Sequence, residues 1–143
     1  MTRTFAALST MLLAVASVAW AYPSGISGYT TAGCTCHSTS PSSATSLSLS
    51  GPTTVTPGST STFTLTLQNS SRPSAGFDLA IVNSNGQNAG TLGTISGQLT
   101  QIMSGELTHT QPKSLSGGSV SWQFTWQAPS TPGPYTCLLY TSD

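Results

Sequence analysis

The chain has 143 residues, zero formal net charge and only 4% charged side chains, and Ser and Thr make up about a third of it. This composition excludes a basic nucleic-acid face, since only Arg72 and Lys113 follow the first twenty residues as cations, and it excludes a charged funnel for an ionic substrate. It suits an exported β protein whose water-facing strand positions are hydroxyl-bearing.

Residues 1–21 read as a secretory signal. Arg3 supplies the positive start, Phe5 to Val18 a short apolar run, and Ala19-Trp20-Ala21 a small-x-small cleavage site. Export to the periplasm, cell surface or medium follows, with the cysteines placed where disulfides and covalent cofactors persist. Residues 22–44 form an irregular arm, rich in Gly and hydroxyls and without apolar period, and they carry Cys34-Thr35-Cys36-His37. Residues 45–136 form the domain proper, with enough chain for one modest core.

Leu47 and Leu49 alternate with serines, and Gly51-Pro52 and Pro57-Gly58 mark turns. From Ser61 to Asn69 the alternation is strict, with Phe63, Leu65 and Leu67 on one side and threonines on the other, which predicts a half-buried strand. Gly76 to Asn83 puts Phe77, Leu79 and Ile81 on one face and Ala80 and Val82 on the other, which predicts a more central strand. Asn83 to Gly90 is turn chemistry centred on Asn85-Gly86. Short strands are expected near Gly93–Ile95 and Leu99–Met103. From Ser119 to Gln127, Val120, Trp122, Phe124 and Trp126 alternate with polar residues and face the core. Six to eight such strands without an amphipathic helix predict an all-β, Ig-like antiparallel β-sandwich, with a barrel as the alternative.

Cys137 to Asp143 back-translates as TGT CTC TTA TAC ACA TCT GAC, which resembles the transposon-end adapter of sequencing libraries. On that reading residues 137–143 are not native, Cys137 is no disulfide partner and the sandwich is incomplete. The alternative is a genuine terminal strand packing Tyr135, Leu138 and Tyr140.

The Cys/His cluster leaves three readings open. A covalent haem c needs two thiols for the vinyl groups and the adjacent His37 on iron, with His109 or Met103 as the second axial ligand. A zinc or copper site would use Cys34, Cys36 and His37, with His109 as the one remaining candidate for the fourth place of a closed tetrahedron. The third reading is structural, a strained Cys34–Cys36 disulfide or free thiols. His109 has its own structural reading, a strand-end residue hydrogen-bonded to backbone. Glu106 stands too far from any other candidate in sequence to imply acid–base catalysis. Trp122 and Trp126 have core spacing rather than that of a sugar-stacking platform. Asn69-Ser70-Ser71 fits the glycosylation sequon by chance.

Taken in order, several of these pieces resemble the choice-of-anchor V domain, a bacterial surface family similar to the Reeler domain. The matching residues are Tyr22-Pro23-Ser24-Gly25-Ile26-Ser27-Gly28, the Cys/His motif at 34–37, Leu49-Ser50-Gly51-Pro52 and Pro57-Gly58. Ala75-Gly76-Phe77, Glu106-Leu107-Thr108-His109, Trp122 to Pro129 and Pro132-Gly133 complete the series. The resemblance implies an exported β-sandwich without enzymatic activity, a partner at the cell surface, and a membrane tie only through a C-terminal anchor missing here. It also implies Cys-x-x-Cys-His at the first motif, where this chain is one residue shorter.

Overall fold

The computed structural model describes residues 22–30 and 42–142, so residues 1–21, which are read as a signal, the Cys34–His37 motif and Asp143 lie outside the described residues. The described chain is all-β. Nine strands follow in order: β1 (Ser46–Ser50), β2 (Thr60–Gln68), β3 (Ser74–Val82), β4 (Thr91–Thr94), β5 (Thr100–Met103), β6 (Glu106–His109), β7 (Lys113–Ser114), β8 (Ser119–Gln127) and β9 (Thr136–Ser142).

Two antiparallel sheets pack face to face. The first has the order β1-β2-β8-β4; in the second, β5-β6 and then β7 lie along β3, with β9 also paired to β3. β2 and β8 pair along their full length, so Phe63 meets Phe124 and Leu65 meets Trp122 on the inner face. Threonines and serines alternate with them on the outer face, as the period of two predicts. The sheets are joined by Phe77 of β3 against Trp122 of β8, ring centroids 4.8 Å apart, with Leu65, Leu67, Leu79, Leu107 and Phe124 fully buried around them. Each such side chain contributes about 2–3 kcal/mol on burial. Together they are the drive to fold.

The turns carry the expected chemistry. Asn83 Oδ1 accepts from the Asn85 and Gln87 amides, and Gly86 takes the positive φ that the bend needs. Ser104-Gly105, both at positive φ, closes the β5–β6 hairpin. The sequon's Asn69 is buried and its side-chain amide donates to Thr45 Oγ1.

Four elements differ from the sequence expectations. β6 and β7 are strands where the sequence has too few alternating residues to signal one. In β9 the residues that pack on the core are Cys137 and Leu139, following Tyr135, rather than Leu138 and Tyr140. The cause is register: Leu79 pairs with Leu139 and Ile81 with Cys137, on the inward side of β3. Finally, the described part of the arm, Tyr22 to Thr30, has no strand of its own yet is no loose appendage. It lies on the second sheet.

Candidate functional site

β3 is buried along both faces, whereas β8 alternates buried and exposed residues. The arm reaches the second face of β3 at Asp78, and what holds the arm is a cluster of buried polar side chains: Asp78, Glu106, Thr108 and His109.

The cluster arises from an irregularity in the ladder. Asp78 pairs with Thr108 on β6, and in the same register Ala75 would face Gln111; it faces Lys113 of β7 instead, so residues are looped out between. The backbone of Phe77 sits beside this break and must find other partners. Its N–H donates to His109 Nδ1 at 3.0 Å, and its carbonyl accepts from Thr108 Oγ1 at 2.7 Å. Two side chains of β6 thus stand in for a missing rung. Because Nδ1 accepts, the ring proton is on Nε2, which donates to the Tyr22 carbonyl at 3.2 Å. Gly76 is required here, since a Cβ at that position would fall on the imidazole ring.

The arm is then fastened mainly through its own backbone. Ile26 N–H donates to Thr108 Oγ1 (3.2 Å), Gly28 N–H to Glu106 Oε2 (2.5 Å) and Tyr29 N–H to Asp78 Oδ2 (3.3 Å). The Thr30 hydroxyl donates to Glu106 Oε1 (2.8 Å), and Gln101 Nε2 of β5 reaches the Ser24 carbonyl (2.5 Å). Gly25, at φ +89°, lies so close that a Cβ would strike the His109 carbonyl.

Electrostatically the site is unusual in so uncharged a chain. Burial pushes the Asp78 carboxyl from 3.8 up to about 7; the charge of Glu106 and a hydrogen bond with it push the same way, and the amides of Tyr29 and Leu79 act weakly against them. Glu106 therefore has a carboxyl partner after all. Sequence separation hid the pair. The one hint in the sequence is Asp78 itself, an acid in the middle of an otherwise apolar strand.

Of the residues predicted to bind a metal or haem, His109 and Met103 are described, and Cys34, Cys36 and His37 are not. His109 is the backbone-bonded strand-end residue of its structural reading, with both ring nitrogens engaged. While Tyr22 stays docked, His109 does not fit a ligand set. Met103, the other axial candidate, ends β5 half-buried opposite Glu106. Among the described residues no group of three or more His, Cys, Asp or Glu side chains is arranged to hold a metal ion.

A second hollow, a cleft of about 520 Å³, lies between the sheets at the opposite end of β3, where Phe63, Trp126, Tyr135 and Cys137 line it with Val55 and Pro129. Trp126 and Tyr135 meet edge to face there at 5.4 Å. Its lining holds no charged residue. No protein-family model, curated protein or solved structure matches the chain.

Proposed function

We propose that this chain is an exported, non-enzymatic β-sandwich module, acting in adhesion or as a scaffold part of a larger surface-anchored protein. The choice-of-anchor V and Reeler-like resemblance points the same way. So does the fate of the polar side chains. The buried groups able to do acid–base work, Asp78, Glu106 and His109, each hold a backbone group of the arm, and Thr108 does the same. That commitment is the observation that carries the reading: the sandwich spends its reactive groups on holding its own N-terminal arm. The partner is a surface or extracellular one, met without nucleic acid.

A second reading keeps the Cys34, Cys36 and His37 cluster as a haem c or soft-metal site. It is favoured by the way the arm is pinned as far as Thr30, four residues before Cys34 in sequence. With His109 committed to Phe77 and Tyr22, a metal there would have three protein ligands, one short of a closed tetrahedral site.

Expression of the full chain in a host competent for haem attachment, followed by an absorption spectrum and metal analysis, separates these readings. The module reading expects neither chromophore nor stoichiometric metal. A Soret band that survives denaturation would replace it with the electron-transfer reading, and one equivalent of zinc or copper with the metal-site reading.

A further inference from the structure

The Asp78–Glu106 pair has four carboxylate oxygens, and three donors reach them from the arm. Glu106 Oε1 takes the Thr30 hydroxyl, Glu106 Oε2 the Gly28 amide and Asp78 Oδ2 the Tyr29 amide. Asp78 Oδ1 is buried with no hydrogen-bond partner, on a residue only 1% exposed. A carboxylate oxygen left so is costly, whereas a proton on it supplies the missing donor to its neighbour.

Among the described residues no cation compensates the pair. β3 contributes Asp78, and β6 contributes Glu106 and His109, whose ring is neutral by its bonds. β9 places Tyr140 across from Asp78, and β5 places Gln101 and Met103 across from Thr108 and Glu106. The arm brings Tyr22 and Tyr29. Of the described cations, Lys113 donates to the Ser121 carbonyl and lies over the Trp122 ring, and Arg72 is in the β2–β3 connection. The three donors from the arm are joined only by the Leu79 amide of β3, which acts weakly on Asp78.

We propose that the Tyr22–Thr30 arm is a proton-gated latch: it is held on the second sheet while the Asp78–Glu106 pair shares one proton, and it loosens when that proton leaves and two full charges occupy the buried site. The direction of the pH dependence follows from linkage. With the arm docked, Asp78 Oδ1 is shut away from water without a partner, and burial, outweighing the opposing Tyr29 amide, holds its carboxyl up to about 7. Undocking lets water reach that oxygen and so favours the charged form. The docked state therefore binds the proton more tightly than the undocked one. Docking is at full strength below the pKa of the undocked state, weakens as the pH rises to about 7, and is level above that. Each unit of difference in pKa between the two states is a factor of ten in the docking equilibrium.

Amide hydrogen exchange of the full chain by NMR, corrected for the intrinsic pH dependence of exchange, tests this. Between about pH 5 and about pH 8 the protection of Ile26, Gly28 and Tyr29 should fall at least about tenfold, while that of Leu65 and Trp122 holds. Asp78→Asn supplies a permanent donor to Glu106 without a second charge, and its arm should be equally protected at both pH values. Glu106→Gln removes the neighbouring charge but leaves Asp78 buried, so it should move the fall in protection to lower pH, and it serves if the first variant does not fold. Arm protection that is constant with pH in the wild-type chain, pH dependence retained in Asp78→Asn, or a profile unmoved in Glu106→Gln would overturn the latch. So would calcium or magnesium restoring protection at the higher pH, since the pair would then be a metal site.

Discussion

β8 and β3 are both nine-residue strands inside their sheets, and they meet through Trp122 and Phe77. On β8 the outer residues Ser121 and Gln123 face water, and burial alternates along the strand. On β3 no such alternation survives, and the arm reaches its outer face at Asp78. The contrast teaches that an outer sheet face is cheap to leave polar and exposed, and that covering it creates a different obligation. Every polar group beneath the cover needs a partner. The Asp78–Glu106 pair, the His109 bridge and the backbone bonds of Tyr22 to Thr30 are how the second sheet meets that obligation.

The largest expected effect is on what the two strands share. Trp122→Ala removes the ring at the centre of the core and should cost about 3–5 kcal/mol, read as a lower urea midpoint with both sheets affected together. Gly76→Ala attacks only the covered side. Its methyl falls on the His109 ring, so a loss of about 1–3 kcal/mol is expected, together with loss of arm protection in hydrogen exchange. A loss of stability with the arm still protected would mean that His109 relaxes without releasing Tyr22.

β9, paired along β3, gives a chemical measure of cover. Burial pushes the Cys137 thiol from 9.0 to about 11, which leaves about a hundredfold less thiolate at neutral pH than an ordinary cysteine has. Alkylation at Cys137, followed by peptide mass spectrometry to separate it from Cys34 and Cys36, should be about a hundredfold slower in the native chain than in the unfolded one. Equal rates would mean that β9 is not seated on β3. At the small end, Ser121→Ala on the exposed face of β8 should change stability by less than about 0.5 kcal/mol by urea titration. A larger change would show that the outer face of β8 is covered too.

Much of the scaffold was legible in the residues. Phe63, Leu65 and Leu67 alternate with threonines, and Val120 to Trp126 alternate with polar residues, because a strand with one wet face writes its period into the chain. Apolar residues on both sides of Phe77 to Val82 announced a central strand, though not what lay over it. β6 and β7 were hidden by their length, since two to four residues do not make a period. The site was hidden for another reason: most of its arm bonds come from backbone N–H groups of Ile26, Gly28 and Tyr29, which every residue but proline possesses. Only His109 was anticipated in its place, as a strand-end residue bonded to backbone.

By itself, then, the sequence determined two stacked sheets, their inward faces and the turns between them, because local alternation and turn chemistry are properties of neighbouring residues. The tertiary structure alone decided that Asp78 and Glu106 share a buried site and that residues 49 to 78 positions away in the chain supply their hydrogen bonds. The register of β3 against β6 sets that meeting, and a break in the ladder leaves the gap that Thr108 and His109 fill.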